Sequence, residues 1–154
     1  MNNLLKRFLE NIKGTSTLEL ALVLPAGMLL VLGAIDSSLG FAEKLRAEAA
    51  AARAIEQITA YSRVKTDYTA SVDEAAAAAR VNVANVKVTH WLECNNVLQT
   101  SFTGTCPSSS DQIARFVKVV IQGKFKPVLN FARFLSVDND GFVRVEGDAS
   151  VRVQ

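Results

Sequence analysis

Hydrophobic positions along this chain follow three successive patterns. From Leu18 to Ile35 the sequence reads LELALVLPAGMLLVLGAI, eighteen residues with one charge, Glu19, near the start and none in the middle. That is the length and polarity of a short membrane-spanning helix. Pro25 removes one backbone donor and frees the carbonyl of Ala21, so the helix is expected to bend there without ending. Beyond Asp36 the apolar residues recur in steps of three and four, at Phe41, Leu45, Ala49, Ala52 and Ile55, with Ile58 at the edge. This spacing predicts that the helix continues with one apolar face, from about Ser16 to Tyr61 and over roughly 70 Å at 1.5 Å per residue. Its small residues suit close approach to a sheet or to another copy of the helix. For positions after Leu45, cover over a sheet is the expected use, because a small domain needs helix to close its core.

The third pattern begins near Val83, after a second helix. Ser71 and Glu74 read as a capping box opening a helix from Val72 to about Val81, and its alanine run favours helix over linker. The period then becomes two. Val86, Val88, His90 and Leu92 alternate with Lys87, Thr89, Trp91 and Glu93; Val117, Val119, Ile121 and Phe125 repeat the pattern, as do Val143, Val145, Ala149, Val151 and Val153 against Arg144, Glu146, Asp148 and Arg152. Clean alternation predicts antiparallel strands with one covered and one wet face, the last being strongly charged on its wet side. Asn139, Asp140 and Gly141 supply a turn before it. Pro127 to Val137 is apolar without alternation and reads as a short helix across the sheet. The expected fold is therefore α+β, a long N-terminal helix packed on an antiparallel sheet of about three or four strands.

Charge sets the orientation of this arrangement. Net charge is only +2 and aromatics make up 7% of the chain, so neither a phosphate-tracking stripe nor a base-stacking platform is visible and nucleic acid is not an expected partner. The excess is confined to the start: Lys6, Arg7 and Lys13 oppose only Glu10 in the first fourteen residues, while the remainder carries fourteen basic and fourteen acidic residues. Basic residues ahead of an apolar span stay on the cytoplasmic side, which places the bulk of the chain outside. A buried core helix and a cleaved secretory signal are the alternatives. Gly40 and Ala42 make a poor signal-peptidase site, far past the apolar run.

A better processing site precedes the run. Gly14 offers the unhindered backbone a peptidase needs, and Leu5, Phe8, Leu9 and Ile12 ahead of it fit an amphipathic leader helix on the cytoplasmic face. Cutting after Gly14 would free an amine at Thr15, about one helical turn from Glu19. A carboxylate at the head of a membrane span is disfavoured by a few kcal/mol unless it is paired or interfacial. Glu19 is therefore read two ways, as the partner of that amine within or between subunits, or as an interfacial residue that snorkels.

Gly14 followed by Glu19, with LELALVLP leading into the apolar run, resembles the N-terminus of class III prepilins and, more narrowly, the TadE-like minor pilins of tight-adherence (Tad or Flp) type IV pili. The likeness continues through RAEAAAARAIEQ and resumes at VKVVIQGKFKPVL and DASVRV, but only the N-terminal motif is specific. The resemblance implies a pilin-like fold divided into a leader (1–14), a transmembrane helix (15–36) and an exported α+β domain (37–154). It also implies a prepilin peptidase that cuts between Gly14 and Thr15, a subunit-aligning role for Glu19, and Pro25 as the membrane-helix proline. Thr15 departs from the phenylalanine that opens many mature pilins, which weakens any inference of N-methylation more than of cleavage. The implied partners are the inner membrane, other pilins of the filament, and assembly-platform proteins with a secretion ATPase acting indirectly. The implied location is a single-pass inner-membrane protein with its C-terminal domain periplasmic or extracellular, entering a pilus and serving its assembly, priming or tip and surface adherence. An anchored periplasmic binding module that never polymerises is the alternative, in which Glu19 is incidental.

Chemistry is sparse elsewhere. Cys94 and Cys106 are the only cysteines, separated by a polar stretch between strands; outside the cytoplasm a disulfide is the natural reading, with two free thiols as the alternative. Zinc is poorly served by two thiols and one histidine. His90, the only histidine, shares the parity of the covered strand face and reads as an edge-of-core residue rather than a base. Asp138 and Asp140 read as turn caps, and no phosphate loop, HExxH or GxSxG string occurs. No cofactor and no enzymatic activity are expected.

Overall fold

The computed structural model describes residues 15–60, 67–129 and 137–153. A single helix, α1, runs from Thr15 to Ala60 and passes through Pro25 without interruption. A second helix, α2 (Thr69–Ala79), is followed by a one-turn 3-10 segment at Val83–Asn85. Four strands follow among the described residues: β1 (Val86–Cys94), the two-residue β2 (Val97–Leu98), β3 (Ile113–Phe125) and β4 (Val143–Arg152). They form one antiparallel sheet in the order β2-β1-β3-β4. The registers place Val88 beside Val119 and Val119 beside Ala149, so the alternating residues read from the sequence share one face.

That face is covered by α1 and α2, and the helical side of the core is made of alanine. Ala47, Ala50, Ala51, Ala54 and Ile55 of α1 and Ala75, Ala76 and Ala79 of α2 pack over Val86, Val117, Val119 and Ile121. The reason is the closeness of the helix to β4. A Cβ built on Gly147 would lie 2.8 Å from the Ala47 Cβ and 2.5 Å from its carbonyl carbon. Only a strand residue without a side chain opposite a helix residue with the smallest one permits that approach. Lower on the helix, Gly40 stands opposite the Phe125 ring, which lies 3.1 Å from where its Cβ would be.

This approach corrects the predicted helix face. Phe41, Leu45, Ala49 and Ala52 are exposed, while the buried set is shifted around the helix and shares only Ile55 with the expected one. Phe41 and Leu45 set the expected phase because they are the largest apolar residues there. Their bulk is what keeps them off a sheet that approaches at backbone distance. The capping box also does not form: α2 begins at Thr69, two residues before Ser71, where the Asp67 carboxylate accepts from the Thr69 amide (3.0 Å) and hydroxyl (2.6 Å). Glu74, inside the helix, instead accepts a hydrogen bond from Gln57 of α1. Arg80 ends α2 in the left-handed region (φ 58°), which lets the Val81 amide reach back to Ala76 O at 3.0 Å.

Of the short helix expected at Pro127–Val137, residues 127–129 are not helical and 130–136 lie outside the described residues. The turn before β4 forms as expected. The Asp138 carboxylate accepts from the amides of Asp140 and Phe142, and Gly141 takes φ +81°. β2 is the element the strand pattern missed. Asn95 and Asn96, both with positive φ (50° and 65°), turn the chain back in two residues and pair Val97 and Leu98 with the end of β1.

Replacing Gly147 by valine forces α1 from the sheet, and a loss of about 1–3 kcal/mol is expected from such overpacking. Urea unfolding of the detergent-solubilised chain should show the drop for Gly147→Val, with Ser150→Val, on the open face of the same strand, close to the parent.

Candidate functional site

Among the described residues nothing covers the lower half of α1. Within Glu19–Ala60 an eighteen-residue window reaches a mean hydropathy of 2.0 and only 6% of it is buried, so the helix is long and apolar enough to cross a membrane. Leu20, Leu22, Val23, Met28, Leu29, Leu30 and Val31 are all exposed. A leucine or valine left in water forfeits about 1.5–3 kcal/mol of burial, so this surface calls for a non-aqueous environment or a partner. Leu20, Val23, Leu24, Gly27, Met28, Val31 and Leu32 line a shallow, wholly apolar groove beside Gly27.

The groove continues upward. Gly27, Val31, Ala34, Ser38, Phe41, Leu45, Ala49 and Ala52 follow steps of three and four and form one strip, exposed from Val31 to Ala52, on the side of α1 away from the sheet. Phe41 is 69% and Leu45 62% exposed, well above the apolar run. The strip joins the segment read as membrane-spanning to the domain with no break in the helix.

Of the expected site residues, Gly14 lies outside the described residues. Thr15 opens α1, and Glu19 is exposed four residues later, a rise of about 6 Å. Pro25 is exposed within the apolar half. Cys94 and Cys106 form the disulfide, with Cα atoms 5.7 Å apart. The bond is not near Glu19. It closes the β1–β3 connection at the far end of the sheet, beyond the part of β3 and β4 that faces Ala47.

That connection is braced from inside. Arg115 of β3 is buried, its Nε donating to Phe102 O at 2.9 Å and its Nη2 to Gly104 O at 2.8 Å. Phe102 is thereby held in the core, where its ring stands 4.6 Å from His90; His90 in turn lies 5.7 Å from Tyr68. His90 is exposed at the rim of the covered face, as a link in an aromatic row. Partial burial pushes the Tyr68 phenol above its ordinary value. On the open face of the sheet Trp91 stacks on Phe116 at 5.3 Å, and Lys118 pairs with Asp148 at 2.9 Å. No group of three metal-ligating side chains occurs among the described residues.

The residue that sequence reasoning passed over is Asp36. It is only 8% exposed, and its carboxylate oxygens accept from the backbone amides of Val128 (2.6 Å) and Leu129 (2.9 Å). A carboxylate directly after an apolar run is a signal in itself, since burying it demands donors. Its partners stand more than ninety residues away, and no local pattern names them. This clamp ties the exit of β3 to α1 where the apolar run ends.

Asp36→Ala strips both amides of their acceptor, with an expected cost of about 1–3 kcal/mol. Hydrogen exchange should quicken at Val128 and Leu129 while Val119 stays protected. At the other pole, Cys94→Ser with Cys106→Ser should cost about 3 kcal/mol by loop-closure arithmetic, measurable as a lowered urea midpoint that reducing agent lowers no further.

The sequence profile described as TadE-like protein matches residues 14–55. No curated protein and no solved structure matches the chain. The matched stretch runs from the glycine ahead of α1, through the exposed apolar half, to the last buried residue of the alanine face. Over residues 14–55, and there alone, this chain carries the sequence pattern of the TadE-like family.

Proposed function

We propose that this protein is a minor pilin or pseudopilin of a Tad/Flp type IV pilus system. A prepilin peptidase removes residues 1–14, and residues 15–36 hold the subunit in the inner membrane with its C-terminal domain on the periplasmic side. The assembly machinery then extracts the helix into a filament alongside other pilins, where the subunit serves in assembly, priming or the tip and in surface adherence. The observation that carries the reading is the coincidence of the family match with α1. Residue 14 immediately precedes a helix whose apolar surface is uncovered.

The energetic logic is one of exchange. In lipid, the Leu20–Leu32 surface is solvated by acyl chains; on extraction it must meet an equivalent apolar surface or face water. The strip from Gly27 to Ala52 offers one, with small residues that let a second helix come close and Phe41 and Leu45 as larger contacts. Glu19 at the head of the helix is the charge to be neutralised there. An amine at Thr15, freed by processing, is its nearest match.

N-terminal sequencing of the mature protein should return Thr15, and Gly14→Ala should leave an uncut precursor in the membrane. Glu19→Ala should insert and be processed normally yet disappear from the sheared filament fraction. Normal incorporation of Glu19→Ala would instead favour a tethered domain that does not polymerise.

A further inference from the structure

The segment leaving β3 sits at the level where the apolar helix ends. Asp36 follows the Leu18–Ile35 run directly, and it holds the amides of Val128 and Leu129. Helical side chains lean toward the helix N-terminus, so the Asp36 carboxylate stands on the side of the apolar run, and the two amides bound to it lie within 2.9 Å of that level. If the run fills the hydrocarbon core, the loop lies within the headgroup layer, which adds about 5–7 Å on each side of that core.

The composition of the segment fits that level. Pro127 is buried, but Val128 next to it is 58% exposed, with Lys124 and Lys126 exposed just before it. Lys124 Nζ rests 4.5 Å from the centre of the Phe142 ring, on the first residues after the 138–141 turn. The acidic residues nearby are Asp138 and Asp140. Asp138 is engaged by its own turn amides and approached by Arg144 at 4.0 Å. An outward valine preceded by two exposed lysines at this depth is the makeup of an interfacial contact.

We propose that Lys124–Val128 is a second membrane contact of this protein, with Val128 entering the acyl boundary and Lys124 and Lys126 engaging anionic lipid headgroups. The proposal rests on the reading of α1 as membrane-spanning. Its consequence is geometric: a domain joined to the bilayer by one helix can rotate and tilt, whereas one touching at a second point presents the Phe41–Ala52 strip in a fixed direction. Charged segments beside a span draw toward anionic headgroups, and salt weakens the attraction.

The test uses the full chain in phosphatidylcholine bilayers with and without phosphatidylglycerol, with the Cys94–Cys106 bond intact. Nitroxide labels at Leu30→Cys, Val128→Cys and Ser150→Cys report accessibility to oxygen, which concentrates in lipid, and to a nickel chelate, which stays in water. The expected oxygen-to-nickel ratio at Val128 is several-fold above that at Ser150 when phosphatidylglycerol is present. Lys124→Glu with Lys126→Glu should bring it down toward Ser150. A lipid-like Leu30 with a water-like Val128 overturns the second contact alone. A water-like Leu30 overturns the spanning reading and the proposal with it.

Discussion

The contact on which this fold depends is the approach of α1 to β4 at Ala47 and Gly147, where no side chain larger than a methyl group separates helix from strand. Above residue 36 the inward face of α1 offers the core few large apolar residues beyond Ile55. The chain solves this by bringing the helix to backbone distance and using alanine as the packing residue. Dispersion contacts then come from many atoms at short range in place of a few bulky side chains. The bulk is supplied from the sheet, by Val117, Val119, Ile121 and Leu92, all essentially inaccessible. Because the alanine face is used inward, the face bearing Phe41 and Leu45 is left outward, and the exposed strip follows directly from the way the core is built.

Two braces act at opposite ends of the sheet. Near the apolar half of α1, Asp36 replaces water for two amides and fixes the end of β3 to the helix. At the far end, Arg115 and the Cys94–Cys106 bond hold a polar loop whose Phe102 closes the core beside His90. Both braces use a buried charge satisfied by backbone groups, which is costly to break because the partner groups are left without donors or acceptors. Between them the packing is almost wholly apolar. The domain is thus secured at the two places where its sheet would otherwise fray.

Legibility in the sequence followed the range of the interactions. Strand parity was readable because Val86 to Leu92, Val117 to Phe125 and Val143 to Val153 alternate locally, and the registers bear the shared face out. The helical run of α1 was readable over all the described residues from Ser16 to Ala60, because its apolar and alanine-rich positions favour helix throughout. Its buried face was not. The phase follows from Gly147, one hundred residues from Ala47, and a glycine in a strand does not announce what approaches it. The same holds for Asp36 and Arg115, whose acceptors and donors are backbone atoms carrying no sequence mark. Asn95-Asn96 was the exception, a local signal for a two-residue turn that the strand pattern did not use. Of the candidate site, the disulfide was legible from compartment and count, whereas the clamp at Asp36 was visible only as an isolated charge.

The two surfaces of α1 also explain why the helix is unbroken. On the function proposed above, a subunit that leaves lipid for a protein environment carries its apolar strip across the boundary between them, and a hinge at residue 36 would let the two halves of that strip rotate apart. Pro25 removes one hydrogen bond within the apolar half, where neighbouring turns can absorb it, and no proline occurs in α1 above it. At residue 36 the chain places a carboxylate that binds the domain to the helix, so the junction is cross-linked where a linker would be the simpler construction. Stiffness there keeps Val31 and Ala34 in register with Phe41 and Leu45. A partner helix entering at the groove beside Gly27 would therefore meet the same face all the way to Ala52.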